Sequence, residues 1–175
     1  MDAKVIFETE RLVVRDWTAA DGDRVFDIYR RWEVSRWLGA TPRAMEDRDA
    51  ATRTIERWNG RNTDPVYGVW AVQEKSSGVV AGTVLLVPLP APSDGESEGE
   101  VEVGWHFHPD SWGRGLATES ARGAIGHGFA AGLAEIHAVV RPDNHASRAV
   151  CERLGMRPLG LTRRWYDAEL AAYVI

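Results

Sequence analysis

In residues 100–121, "EVEVGWHFHPDSWGRGLATESA", strand-like alternation runs into a helix through two glycines. Val101, Val103, Trp105 and Phe107 alternate with Glu100, Glu102, Gly104 and His106, the period of a β-strand. From about 116 to 131 the pattern turns helical. Glycine loses more freedom on ordering than any other residue, so Gly113 and Gly115 imply a task for the main chain itself. A glycine-rich helix entry lets backbone N–H groups converge where the helix adds orphan donors and partial positive charge. That makes a seat for a phosphate or pyrophosphate, and Arg114 adds a cation. A tight strand-to-helix turn without a ligand suits the glycines alone equally well. The third glycine of a dinucleotide fingerprint is missing, as are the Lys and Ser/Thr of a P-loop.

The rest of the chain supports an α/β domain. "RLVVRDW" (11–17) reads as a first strand. A helix follows, with Thr18 or Asp21 as cap and Val25, Phe26, Ile28, Tyr29 and Trp32 at helical spacing. Residues 42–60 read as a second helix, with Pro42 in its first turn and Gly60 at its end. Residues 67–90 form two strands joined by "EKSSG". The acidic, Gly- and Ser-rich stretch 91–100 is an exposed connector. After the quoted segment come a strand at 135–141, a short helix near 145–154 and a closing strand in "ELAAYVI". The order β-α-α-β-β-β-α-β-α-β gives one domain over 1–175 with a mixed sheet.

Composition excludes several classes. Hydrophobic residues make up 44% and charged residues 27%, ordinary globular values. A net charge of -5 argues against a general nucleic-acid binder. A single cysteine allows no internal disulfide and no cysteine-rich zinc site. The histidines show no metal-ligand spacing, so no metal is expected. The amino terminus has no apolar signal region, and no run reaches the ~18 apolar residues of a membrane span. The expectation is therefore a cytoplasmic protein with no membrane and no nucleic-acid partner. Of eight tryptophans, some belong to a core and some to a cavity wall.

"EVGWHFHPDSWGRGLATESA", followed by "VVRPDNHASRAVCERLGM", resembles the GNAT acetyltransferase superfamily. The likeness runs over most of the chain, from "ETERLVVRDW" through "VSRWLG" and "YGVWAV", and is greatest to the RimJ/RimL-type branch of protein N-terminal acetyltransferases. It implies the GNAT fold: a central mixed, largely antiparallel sheet flanked by helices and splayed between its fourth and fifth strands. It also implies acetyl-CoA as cosubstrate. The superfamily loop pattern is Gln or Arg, two residues, Gly, one residue, then Gly or Ala. Here Trp112, Gly115 and Ala117 match, with Trp112 departing from the general pattern. The resemblance implies that the amides of Gly113, Arg114, Gly115, Leu116, Ala117 and Thr118 hold the pyrophosphate. Trp105, His106 and Phe107 would offer the pantetheine a strand edge opened by a bulge, with an oxyanion donor near His106 or Phe107. Asn144 would bind the pantetheine, and Ser147 would contact the same cofactor. A plain helix cap explains Asn144 as well.

The implied chemistry is acyl transfer from a thioester to an amine. The amine must lose a proton, and a carboxylate with a raised pKa can take it. Glu102 fits the position of the strand acid in related enzymes; a solvent-facing strand residue is the plainer alternative. His106, on the same side, is a second base candidate. The superfamily's usual tyrosine acid is replaced by Cys151, leaving Cys151 and Ser147 as candidate proton donors to the thiolate. Cys151 also suits simple packing. The acceptor pocket would take Trp32, Trp37, Leu38 and Trp105, each of which core packing also explains, and Tyr166 and Tyr173 near the carboxyl end would close it. Acceptors in view are a protein N-terminus or a small-molecule amine. Homodimers are frequent in this branch. A non-catalytic acyl-CoA-binding module that kept the loop is the competing class.

Overall fold

The computed structural model describes residues 3–92 and 95–175; the acidic connector expected at 91–100 includes residues 93 and 94, outside the described set. Among the described residues eight strands form one sheet: β1 (Val5–Glu8), β2 (Leu12–Arg15), β3 (Gly68–Glu74), β4 (Val80–Pro88), β5 (Val101–Phe107), β6 (His137–Val140), β7 (Arg157–Thr162) and β8 (Leu170–Val174). Five α-helices accompany them among the described residues: α1 (Gly22–Tyr29), α2 (Trp32–Ser35), α3 (Arg48–Arg61), α4 (Leu116–Ala130) and α5 (His145–Arg153). The strand order is β1-β2-β3-β4-β5-β6-β8-β7. Every neighbouring pair is antiparallel except β5–β6, which is parallel and joined by the single register pair Glu102↔His137. This is the splay expected between the fourth and fifth strands; the additional β1 makes them the fifth and sixth.

Three elements correct the sequence expectation. Strands β1 and β7 and the single turn α2 were not anticipated. The second helix starts at Arg48 rather than 42, because the Asp47 side chain caps it by accepting the Ala50 N–H at 2.7 Å. Pro42 therefore lies outside that helix and Gly60 inside it. Before α1, Asp21 accepts hydrogen bonds from the Thr18 amide and hydroxyl at 2.7 and 2.9 Å, so both expected cap residues work together.

The sheet is covered on both faces. Val101, Val103 and Phe107 of β5 pack with Leu116, Ala121 and Ala124 of α4 and Val150 and Cys151 of α5. On the other face Val25 and Ile28 of α1 and Ala51 and Ile55 of α3 pack with Trp17, Ala71 and Val80. Burying each large apolar side chain contributes about 1.5–3 kcal/mol. Two packed faces hold β5 rigidly while its β6-side edge opens.

Candidate active site

The glycine loop follows β5 directly. His108 starts it: Nδ1 accepts the Asp110 N–H at 3.1 Å, so Nε2 carries the proton donated to Asp27 Oδ2 at 2.9 Å. After the short turn Pro109–Ser111 come Gly113 and Gly115 at φ 71° and 76°, the left-handed conformation that side chains disfavour. Gly115 caps α4, and the first intrahelical bond runs from Glu119 N to Gly115 O at 3.0 Å. The amides of Leu116, Ala117 and Thr118 precede that bond and have no intrahelical partner. The Thr118 hydroxyl oxygen is likewise buried without a partner. The Arg114 cation does not join them: its guanidinium grips the Glu74 carboxylate at 2.6 and 2.7 Å and does not line the cavity. Arg11, Arg122 and Arg153 line the cavity instead. Arg11 is tied to Glu119 at 2.6 Å and to the Arg114 carbonyl at 2.9 Å. These arginines come from distant segments, and the sequence carried no local signal for them.

A cavity of about 1260 Å³ opens where β5 and β6 part. His108 N donates to Ala81 O, and Leu89 N to Glu100 O. By antiparallel alternation the even residues of β5 face β4, while Val103, Trp105 and Phe107 turn their main-chain groups towards β6. Pairing with β6 ends at Glu102, so the edge beyond it is open. Of the two positions expected for an oxyanion donor, the His106 amide belongs to the β4 ladder, whereas the Phe107 amide lies on the open edge. The Phe107 carbonyl is taken by the Trp112 indole N–H at 2.9 Å.

Glu102 and His106 share a face of β5 and line the cavity. Both keep some surface towards it yet lie deep, out of bulk water. Burial pushes the Glu102 carboxyl up to about 7, a shift partly opposed by the Tyr166 hydroxyl beside it. Glu102 Oε2 is buried without a hydrogen-bond partner. Tyr166 is held there by an unusual main chain, with Tyr166 and Asp167 at φ 60° and 49°. Such conformations cost of order 1–3 kcal/mol each. Burial has the opposite effect on His106, lowering it to about 4. Its Nδ1 hydrogen-bonds Tyr29 Oη at 3.0 Å, which in turn meets Thr83 Oγ1 at 2.7 Å. A neutral imidazole that resists protonation is a poor base, so the two base candidates are separated by environment.

The remaining candidates divide. Trp105, Phe107, Trp112, Gly113, Gly115, Leu116, Ala117 and Thr118 all line the cavity, as do Asn144 and Ser147. Asn144 Oδ1 accepts the Ser147 N–H at 3.2 Å and caps α5, while its Nδ2 has no protein partner among the described residues. Trp37, Leu38 and Tyr166, expected around the acceptor, also line the cavity. Three expectations are corrected. Cys151 is packed in the core with 0% exposure and does not reach the cavity; burial drives its thiol up to about 12. Trp32 is exposed on α2 and lies outside the cavity. Tyr173, expected to help close the pocket, is buried with its hydroxyl accepting from Arg148 Nε at 3.2 Å. Among the described residues no group of three His, Cys, Asp or Glu side chains could hold a metal, and no helix is long and apolar enough to cross a membrane.

The sheet thus splays beside a glycine loop whose helix-entry amides are unpaired, and a buried carboxyl lines the cleft between them. The acetyltransferase (GNAT) domain family matches residues 11–157, and the chain belongs to that family of acetyl-CoA-dependent acetyltransferases. Relatives include the uncharacterized N-acetyltransferase YoaA of Bacillus subtilis, 27% identical over 91% of this chain and 87% of that protein. The uncharacterized protein YkkB of the same organism is 31% identical over 99% of this chain and 96% of its own. In fold, the chain is similar to Mycobacterium smegmatis RimJ in complex with CoA-disulfide. That likeness has a TM-score of 0.76 and 20% identity, over 94% of this chain and 81% of that one.

Proposed function

We propose that this chain moves the acetyl group of acetyl-CoA directly onto a primary amine, borne by a protein N-terminus or a small molecule. The observation that carries this is Glu102: a carboxyl raised to about 7, lining the cavity beside the opened strand edge. Near neutrality such a group is part carboxylate and can take a proton that an ordinary, more acidic carboxylate would hold poorly. The donor set fits acetyl-CoA. Unpaired amides at the α4 entry suit a pyrophosphate, the open β5 edge suits the amides of a pantetheine, and Asn144 Nδ2 adds a donor. A fold neighbour was solved with a CoA compound bound.

In this scheme the ammonium acceptor gives a proton to Glu102, directly or through a water. The free amine attacks the thioester carbon, a C–N bond forms and the C–S bond breaks. The oxyanion is met by an open-edge amide of β5. The thiolate takes the second proton of the amine, with Ser147 as the candidate relay now that Cys151 lies out of reach. One proton leaves to solvent per turnover. Trp37, Leu38, Trp105 and Tyr166 wall the acceptor side.

The test pairs thermal unfolding with and without acetyl-CoA with thiol release over a panel of small amines and peptide N-termini. A ligand that binds the folded state raises the melting temperature. A shift with thiol release supports the proposal. A shift with no release on any acceptor would leave a non-catalytic acyl-CoA-binding module, and no shift would overturn the assignment of the loop.

A further inference from the structure

His106 lines the cavity, yet one of its nitrogens is bound into the core. Nδ1 meets Tyr29 Oη at 3.0 Å, and Tyr29 Oη meets Thr83 Oγ1 at 2.7 Å. Thr83 is fully buried and Tyr29 nearly so. Strand β4 supplies the threonine, because Thr83 is the register partner of His106. Helix α1 supplies the phenol. Its ring meets Trp58 of α3 edge-on, with centroids 5.6 Å apart at 60°, and the imidazole at 5.9 Å and 86°. Among the described residues His106 Nε2 has no hydrogen-bond partner, and it is not one of the sealed, unpaired atoms, so it is left to the cavity. The acyl-transfer scheme does not use this nitrogen.

Three protons must be placed along this chain, and buried O–H and N–H groups need acceptors. If Nδ1–H donated to Tyr29 and Tyr29 to Thr83, the Thr83 hydroxyl proton would have no acceptor in the core. If both neighbours donated to Tyr29, the phenol proton would be stranded instead. One order places all three: Thr83 O–H donates to Tyr29, Tyr29 O–H donates to Nδ1, and the imidazole proton sits on Nε2. Burial pushes the Tyr29 phenol well above its ordinary value, so it keeps the proton it donates. Burial alone lowers His106 to about 4. Glu102 on β5, Glu33 in α2 and Arg36 just after it line the same cavity without contributing to that shift.

We infer that Tyr29 and Thr83 are positioning residues that lock His106 in one neutral tautomer, and that its Nε2–H binds an uncharged carbonyl or hydroxyl oxygen of a molecule held in the cavity. Such a donor offers an anion no charge and cannot accept a proton from an ammonium, so the amine is left to Glu102. The oxygen belongs either to the acyl-CoA or to the acceptor. Its part in acetyl transfer rests on the proposed function; the tautomer does not.

The test begins with the free protein at pH 7, its histidines labelled with nitrogen-15 and His106 assigned by its loss in His106→Leu. Long-range nitrogen–proton spectra should show Nε2 protonated and Nδ1 bare. Tyr29→Phe, which removes only the hydroxyl, should spread the proton over both nitrogens. Thr83→Val leaves Tyr29 aimed at Nδ1 and should preserve the tautomer. A wild-type proton on Nδ1, an unchanged tautomer in the phenylalanine variant, or a switch in the valine variant would each overturn the inference, and the first needs no variant to fold. In steady-state assays His106→Leu should raise one KM by about threefold to tenfold, the worth of one hydrogen bond, with kcat little changed. His106→Gln, whose amide nitrogen can stand where Nε2 stood, should restore it. If acetyl-CoA alone moves the Nε2–H signal and its KM carries the loss, the oxygen is the acyl-CoA's. If the signal stays and the amine's KM carries the loss, the oxygen is the acceptor's. Leaving both KM values unaltered in the leucine variant would overturn the binding role. Absence of thiol release on every amine would count against the acetyl-transfer proposal, while the tautomer of the free protein still decides this inference.

Discussion

At Glu102 a carboxyl is kept from bulk water by β5, β6 and the loop bearing Tyr166, and burial raises it to about 7. At Cys151 burial raises a thiol to about 12, and the side chain never meets the cavity. The same physical cause equips one residue for proton transfer and makes the other inert. Glu102→Gln keeps the shape and removes the base, so acetyl transfer should fall by about 10²–10⁴-fold, the usual worth of a general base. Acetyl-CoA affinity, read as the thermal shift, should change little. An unaltered rate, or an acidic limb near pH 7 that survives the substitution, would remove Glu102 as the base. Cys151→Ala should leave turnover intact and cost about 1 kcal/mol or more for the small cavity it creates. Denaturant unfolding beside steady-state rates separates the two effects. The sequence nominated both through the family resemblance, Glu102 by its place on the strand that leads into the glycine loop and Cys151 by its place seven residues after Asn144. It could not rank them, because burial is set by segments that arrive from elsewhere.

The loop and α4 form the element on which cofactor binding depends. Gly115 combines a φ of 76° with an open space that only the Arg11 guanidinium approaches, 3.5 Å from where a Cβ would stand. Gly115→Ala should cost roughly 1–2 kcal/mol of stability, the penalty of a left-handed residue with a Cβ, and weaken acetyl-CoA binding modestly. Gly115→Asp should abolish the acetyl-CoA thermal shift, since it adds a negative charge at the mouth of the anion seat. An aspartate variant that binds normally would move the pyrophosphate elsewhere. This element was the most legible part of the chain, because its evidence is contiguous: alternation, two glycines, then helical spacing. Strand β7 was not legible because Arg157, Pro158, Leu159, Gly160 and Leu161 are all exposed at the sheet edge, so no buried face imprints a period of two. The Thr83–Tyr29–His106 chain was hidden for another reason. Its links join β4, α1 and β5 across 54 and 77 residues, and no local pattern records such a meeting.

For the whole molecule, Glu102 and His106 make opposing contributions to the dependence of stability on pH. The folded-state value of Glu102 is raised from 4.5 to about 7. Between those values the unfolded chain has released a proton that the folded chain keeps, so this group makes stability fall as pH rises and then level off above pH 7. The folded-state value of His106 is lowered from 6.5 to about 4. Between those values the unfolded chain binds a proton that the folded chain refuses, so this group makes stability rise with pH. The two slopes overlap from about pH 4.5 to 6.5 and offset one another there. Asp21, Asp27, Asp110 and Glu119 are all held below their ordinary values by ion pairs and hydrogen bonds, and their stabilisation is lost on further acidification. Removing one partner should expose the other. The stability gain of Glu102→Gln over wild type should grow from pH 4.5 to 7 and then stay constant, as a buried charge is no longer paid for. The stability of His106→Gln relative to wild type should decline as pH climbs from 4 to 6.5. Chemical denaturation of the three proteins at half-unit pH steps gives these differences directly, with the contributions of all other groups cancelling. Difference curves that are flat through both windows would mean that neither group is shielded from water as the cleft geometry requires, and the case for Glu102 as a base tuned to neutrality would fall with them.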